Sequence, residues 1–275
     1  MSQIRRLYSN NYAFIVDEVA RNRFRAVSKR IISTLKNLYP KGTTLLDVGT
    51  GYGTFVEIAR NEGLNAIGIE PANNLFLKAK SKLGKNVIHS DLDNFSKNNK
   101  ATFDFIAFIH VIEHVRNPKL VLGSLLKLLK PQGILYIETP NIDSFLAFVE
   151  KENYTFLTPP DHLNLFSKES LKILIDKVGL DAQSTFYTYS YPEHLVGILR
   201  TLKGRKGDYH LSSDSEESRI PTLRREKGGG HKAKLPFFDR VLAPILTPLL
   251  NVGNKGSFLQ VYIQKKDLNA ASTLL

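Results

Sequence analysis

From Thr43 onward the chain alternates between two hydrophobic periods. Short apolar runs of strand length occupy Thr44–Val48, Ala66–Ile69, Val87–His89, Phe103–Ile109 and Ile134–Thr139. Segments with helical spacing lie between them, at Thr54–Asn61, Asn73–Leu83 and Pro118–Leu129. Such alternation with short connections predicts βαβ units, hence an α/β fold whose parallel sheet is covered by helices on both faces. The run FDFIAFIHVI is nearly all apolar, as a central strand buried on both sides requires.

The flanks carry the same signals with different punctuation. A helix is predicted over Tyr12–Leu38, stopped by Pro40 and Gly42. Ser167 is placed to cap a helix running through Val178, with Gly179 just past its end. Gln183–Tyr189 reads as a strand, and Phe258–Gln264 alternates as a final one. The expected organisation is an N-terminal helical extension over 1–42, a main domain over 43–190 and 255–266, and an insertion over 191–254. Within the insertion, Gly204–Lys234 combines Gly228-Gly229-Gly230 with serine and acidic clusters and predicts a mobile loop. Pro236–Val252 reads as a proline-broken apolar helix that packs as a lid or meets a partner.

Composition removes several chemistries. The 275 residues include no cysteine, which excludes a disulfide framework, thiolate metal sites and a catalytic thiol. The net charge of +12 is concentrated in two stretches. Residues 1–43 hold nine basic and two acidic side chains, residues 200–240 hold eleven and six, and the remainder is balanced. These stretches are either solvated faces or attractors for nucleic acid, phosphorylated sugars or an anionic membrane surface. Arg5, Arg6, Asp17, Glu18, Arg21, Arg23 and Arg25 leave no apolar signal core near the N-terminus. Val241–Asn254, the longest uncharged apolar run, is too short to span a bilayer and contains Pro244 and Pro248. A cytoplasmic protein without a transmembrane segment is the expectation, with peripheral membrane contact left open.

The first strand ends in LLDVGTGYGTF, with glycines at 49, 51 and 53. Glycines directly after a strand let the backbone turn tightly and come close to a ligand, beside the free N–H groups of the next helix. A dinucleotide fingerprint would place its third glycine at 54, where this chain has Thr54. The second strand ends in IGIEP, placing Glu70 about twenty residues further on, where a carboxylate can accept from ribose hydroxyls. The third ends in IHSDLDNF, with Asp91, and the fourth in FIHVIEHV. Polar residues at four successive strand ends line one sheet edge, where ligands bind outside the carboxyl ends of parallel strands. Any one of these acids alone reads equally well as a helix cap.

LLDVGTGYG, IGIEP, SDLDNF, FDFIAFIHVIEHVRNP and LLKPQGILYIETPN together resemble a class I S-adenosylmethionine-dependent methyltransferase, over residues 40–180 with a last strand near 258. The resemblance is greatest to the subgroup of ubiquinone-type and bacterial surface-sugar methyltransferases. It implies a Rossmann-like, seven-stranded, mostly parallel sheet with an antiparallel last strand, and S-adenosyl-L-methionine as cofactor. It further implies that Gly49 and Gly51 line the methionine portion, Asp47 orients its amino group and Gly53 closes the turn. Glu70 would take the ribose hydroxyls, Asp91 the adenine amino group with Leu92 against the ring, and His110 would lie beside the sulfonium. Gln132 stands where the family's LKPGG turn has its first glycine.

A hydroxyl acceptor needs a base, and histidine is matched to neutral pH. His114 and His162, the latter in TPPDHLNLFS, are the candidate catalytic residues, with His162 favoured because His114 adjoins Glu113 at a helix start. His110, Glu113, His114 and His162 together offer ligand types acceptable to a divalent ion. They resemble the Glu-x-x-Glu-His…His site of small-RNA 2′-O-methyltransferases, but His110 replaces a hard oxygen ligand, and no metal is assigned. The leading expectation is methyl transfer to a small-molecule or sugar hydroxyl, with an RNA methyltransferase, metal-assisted or not, as the alternative. A non-catalytic cofactor-binding protein is a third class. A nicotinamide oxidoreductase is disfavoured by Gly53-Thr54.

Overall fold

The computed structural model describes residues 18–99, 102–179, 182–202 and 243–266. Helix α1 (Glu18–Leu38) leads into strand β1 (Thr44–Val48), followed by α2 (Thr54–Asn61), β2 (Asn65–Glu70), α3 (Asn73–Leu83) and β3 (Val87–His89). Next come α4 (Leu92–Asn98), β4 (Phe103–Ile109), α5 (Pro118–Lys127) and β5 (Leu129–Pro140). The chain continues through α6 (Phe145–Glu150), α7 (Lys168–Lys177), β6 (Ala182–Tyr189), α8 (Pro192–Leu202), α9 (Ala243–Leu246) and β7 (Phe258–Lys265). The seven strands form one sheet in the order β3-β2-β1-β4-β5-β7-β6, parallel except for the antiparallel β7. This is the α/β fold the alternating periods predict. Tyr12–Asp17 of the expected first helix and Gly204–Lys234, expected as a mobile loop, lie outside the described residues. No described helix is long and apolar enough to cross a membrane.

The residues group into two compact units. The first comprises residues up to 139, 169–186 and those from 260 on. Its core joins Ile31, Ile32 and Leu35 of α1 and Phe55 and Ile58 of α2 to Leu45, Phe105, Tyr136 and Tyr262 of the sheet. β4 is buried along its length up to Phe108, in keeping with its near-continuous apolar run. α1 is also tied to α2 by the Arg25–Glu57 ion pair at 2.9 Å. The second unit comprises 140–168 and 187–259, with Leu146, Ala147, Tyr154, Ile198 and Leu250 at its core. Within it, Asn141 Nδ2 donates to the carbonyls of Gly256 (2.8 Å) and Asn254 (3.2 Å), and Tyr154 Oη donates to the Asn141 carbonyl (2.9 Å).

Several boundaries depart from the periodic reading. β5 starts five residues before Ile134 because the chain pairs Leu129 with Phe103 and then Ile134 with Phe105, skipping across the Pro131–Gly133 turn. Gln132 takes φ 63 there, so the turn keeps its left-handed residue without the family's first glycine. α4, α6 and α8 are helices the apolar pattern does not announce. The described part of Pro236–Val252 is the single turn α9 followed by a 3₁₀ stretch, Thr247–Asn254, kinked at Val252 and Gly253.

At the amino end of the strands, Asp104 of β4 ties three segments together. Its Oδ2 accepts from the Thr43 N–H (3.0 Å), the Thr44 N–H (2.9 Å) and Thr44 Oγ1 (2.7 Å), while Lys130 Nζ lies 3.1 Å from both oxygens. Burial disfavours the carboxylate, but these donors outweigh it and hold the pKa down to about 2. A depressed carboxyl stabilises the fold fully above its unfolded pKa near 4, and that contribution fades as pH falls toward 2. Asp104→Asn is therefore expected to cost about 1–3 kcal/mol at pH 7. In urea titrations its deficit relative to the unsubstituted protein should shrink steadily between pH 4 and pH 2; a deficit independent of pH would disprove the charged network.

Candidate active site

The carboxyl ends of the strands in the first unit bring most of the expected residues to one edge. After β1 the backbone turns through Gly49, Gly51 and Gly53 with φ of 77, 57 and 73, a region closed to most side chains. A Cβ at Gly49 would lie 2.7 Å from Val111 Cγ2, so the turn presses directly on the segment leaving β4. A Cβ at Gly51 would meet nothing within 4 Å and would instead fill the space in front of the turn. One glycine is required for packing and the other keeps a surface open.

Asp47, at the end of β1, is only 3% exposed and accepts from Thr50 Oγ1 at 2.6 Å. Burial raises its pKa to about 7; the Thr50 hydrogen bond opposes the rise and the nearby Glu70 charge adds to it. Glu70, at the end of β2, is equally buried. Its Oε2 accepts from the Gly51 N–H and its Oε1 from the Ala72 N–H, each at 2.8 Å. Burial raises its pKa as well, opposed by these two N–H groups and by His89. Glu70 thus braces the glycine turn, and each oxygen keeps a second lone pair for an incoming donor.

Asp91, after β3, caps α4: its Oδ1 accepts from the Asn94 N–H at 2.8 Å, and Leu92 opens the helix. Asp91 also lines an open cleft of about 430 Å³ with Pro71, His89, Ser90, Asp93, Asn94 and Lys97. The helix-cap role and the cleft-lining role therefore coexist at this residue.

His110 is the first residue beyond β4 and adopts φ 54. Its backbone N–H continues the sheet, donating to the Glu138 carbonyl at 2.8 Å. Its Nε2 lies 3.2 Å from Glu138 Oε1 and its Nδ1 3.5 Å from Glu113 Oε1. Burial works against a charged ring, yet the two carboxylates outweigh it and push the His110 pKa up to about 10. For Glu113 and Glu138 burial favours the neutral acid, and His110 reverses that to hold both below the ordinary range. Glu138 Oε2 also accepts from Tyr136 Oη (2.5 Å) and Gln260 Nε2 (2.8 Å), and Glu113 Oε2 from Thr139 Oγ1 (3.0 Å). Glu138, Tyr136 and Gln260 carry roles the sequence reading does not assign. The available signal is a carboxylate inside the apolar run ILYIETP.

His114 closes a 3₁₀ turn, Ile112–His114, and its N–H donates to the Val111 carbonyl at 3.0 Å. His162 belongs to the second unit. Its Nδ1 is 2.7 Å from the Phe156 carbonyl, and its ring stacks on Phe156 with centroids 6.4 Å apart. A carbonyl only accepts, so Nδ1 carries the proton and Nε2 holds the lone pair of the neutral ring. That is the tautomer a base requires.

Comparison with known proteins places this edge in a family. A family model described as a methyltransferase domain matches residues 19–185. The mitochondrial ubiquinone biosynthesis O-methyltransferase of Dictyostelium discoideum is 30% identical over 143 residues, covering 46% of this chain and 44% of that protein. The ubiquinone biosynthesis O-methyltransferase of Aliivibrio fischeri (strain ATCC 700601 / ES114) is 30% identical over 150 residues, covering 50% and 64%. The chain thus spans roughly half to under two-thirds of these relatives. Among solved structures, a SAM-dependent methyltransferase from Archaeoglobus fulgidus superposes with a TM-score of 0.56 at 19% identity, covering 89% of this chain and 94% of its own. The plantazolicin methyltransferase BpumL, in complex with a desmethylPZN analogue and SAH, does so with 0.56 at 19% identity, covering 90% and 86%. These structures match in fold, and the family model covers more than half of the sequence. By its methyltransferase domain, the chain belongs to the class I S-adenosylmethionine-dependent methyltransferases.

Proposed function

We propose that the protein transfers a methyl group from S-adenosylmethionine to a hydroxyl of a small molecule, sugars included. The observation that carries this reading is Glu70, a buried carboxylate whose two oxygens already brace the glycine turn and retain lone pairs for ribose hydroxyls. The residues suit the donor: Gly51 leaves open space in front of the turn, and Asp47 is a buried acid at the next strand end. The relatives' own description as O-methyltransferases supports a hydroxyl acceptor.

When bound, the donor supplies a methyl group on a sulfonium that is already activated, so the chain's task is alignment and exclusion of water. Gly49 and Gly51 would bring backbone close to the methionine portion, and Asp47 would pair with its ammonium. Asp91 would receive the adenine amino group, with Leu92 against the ring. His162, through Nε2, would take the hydroxyl proton as the oxygen attacks. His114 is the second candidate, and Glu113 beside it is already engaged by Thr139 and His110.

Glu70→Ala is expected to weaken S-adenosylmethionine binding by about 1–3 kcal/mol, the worth of charge-assisted hydrogen bonds. Titration calorimetry reads this directly, and binding of a nicotinamide dinucleotide in place of adenosylmethionine would overturn the assignment. The acid Asp47 adds a pH signature. With its pKa at about 7 in the free protein, it must lose a proton before it can pair with the donor's ammonium. Affinity should therefore rise by up to about tenfold per pH unit between pH 5.5 and 7, with proton release on binding, and Asp47→Asn should flatten that slope. The base is tested by His162→Ala, expected to lower turnover by about 10²–10⁴ with donor affinity near normal. Unchanged turnover in His162→Ala, His114→Ala and the double variant, with chemistry rate-limiting, would leave alignment alone or a different acceptor atom.

A further inference from the structure

The cluster formed by His110, Glu113 and Glu138 is unbalanced in charge. Two carboxylates, each 1% exposed, face one imidazole across 3.2 and 3.5 Å. Their remaining oxygens accept from neutral donors only: Tyr136 Oη and Gln260 Nε2 on Glu138, and Thr139 Oγ1 on Glu113. Among the described residues neither carboxylate has a lysine or arginine partner. Two imidazoles bear on Glu113: His110 at 3.5 Å, and the adjoining His114, which has a ring nitrogen within 4.8 Å of a Glu113 oxygen. A neutral hydrogen bond satisfies a lone pair without cancelling a charge, so with His114 neutral the cluster carries one more negative than positive charge in a poorly screened interior.

The cluster opens in one direction. The His110 side chain is 33% exposed while both carboxylates are sealed. His110 and Val111 leave β4 against the glycine turn, where a Cβ at Gly49 would lie 2.7 Å from Val111 Cγ2. β4 itself pairs with β1 through Asp47↔Ala107, which sets the two strand ends side by side. The titratable side chains at the ends of β1 and β2, Asp47 and Glu70, are acids too. The edge that would receive a cationic donor is thus negative by construction, with His110 as partial counterweight.

We propose that the Glu113–His110–Glu138 cluster is what distinguishes the charged methyl donor from its spent product. This rests on the proposed donor reading. Its excess negative charge attracts a sulfonium, and gains nothing from the neutral thioether that remains once the methyl has left. The methionine, ribose and adenine portions are common to both molecules, so the hydrogen bonds that Asp47, Glu70 and Asp91 would make to those portions do not tell them apart. A net charge near sulfur does. Glu113 and Glu138 act at a distance and touch no reacting atom, which makes them specificity-determining residues. His110 holds both in place and keeps the excess at one charge instead of two.

The test measures dissociation constants of S-adenosylmethionine and S-adenosylhomocysteine by calorimetry at pH 8, for the full chain and for Glu138→Gln and Glu113→Gln. Each substitution removes one negative charge from the cluster. The ratio of donor to product dissociation constants should rise about tenfold in each variant, with product affinity nearly unchanged; tenfold corresponds to about 1.4 kcal/mol, within reach of a unit charge several ångströms away at an effective dielectric of 20 or more. If both variants weaken the two ligands equally, the cluster is only a brace: the inference falls and the donor reading stands. If the unsubstituted chain binds neither ligand, both fall. Thermal melts identify a variant that does not fold. In that case the unsubstituted chain is titrated with the aza analogue of the donor, an amine in place of the sulfonium, against adenosylhomocysteine at each pH. Preference for the protonated amine supports the inference, and equal affinity for its protonated and neutral forms overturns it.

Discussion

Buried carboxylates need donors, and the carboxyl end of a parallel sheet supplies them in a fixed pattern. Asp47, Glu70, Glu113 and Glu138 are each at most 4% exposed. Left unpaired, any of them would cost several kcal/mol or be forced to stay neutral. The chain resolves the four cases differently. Glu70 draws on backbone N–H groups that the glycine turn and the start of α3 leave unpaired. Glu113 and Glu138 share one imidazole. Among the described residues Asp47 has only Thr50, and burial raises its pKa to about 7. These solutions are graded, and the least compensated acid is the one to which the donor's ammonium is assigned.

Seen this way, the glycine turn and the acids are a single device. The φ values at 49, 51 and 53 aim the Gly51 N–H at Glu70, and Glu70 holds that N–H in place. Thr50 lies between them, with its hydroxyl on Asp47 and its own N–H on the Ile69 carbonyl at 3.0 Å. The turn is already hydrogen-bonded in one conformation without a ligand, so ordering it at the moment of binding should incur little entropy. The opposite end of the sheet is held by one carboxylate of the ordinary kind, Asp104, fully satisfied by backbone and Lys130. Stability and function are thereby separated along the strand direction.

How much of this the sequence shows depends on the range of the interaction. β1, β3, β4, α2 and α3 have the bounds their apolar periods predict, because a strand or helix of that kind reports its own burial locally. α4 and α6 are too short to show a period, and β5 begins ahead of Pro131 and Gly133 and runs through them, two residues that ordinarily mark a break. At the site, the glycines, Asp47, Glu70 and Asp91 stand out because each lies at or just beside the carboxyl end of a strand. Glu138 does not, since its meaning lies in Gln260, 122 positions away, and in the side chain of His110. His110 itself is conspicuous as a polar residue ending an apolar strand, but nothing in FIHVIEHV reveals that both ring nitrogens face carboxylates.

Asp91 carries a different kind of consequence. Its side chain starts α4 by accepting from Asn94, and the same residue lines the cleft between β3 and α4. Asparagine, serine and threonine cap a helix nearly as well as aspartate. Folding alone would therefore tolerate any of the four at this position, whereas a requirement for negative charge in the cleft would admit one. Variation at position 91 among descendants of this chain would thus record which of the two demands selection has been enforcing. A drift to asparagine would mark a lineage that kept the helix and changed what the cleft must hold.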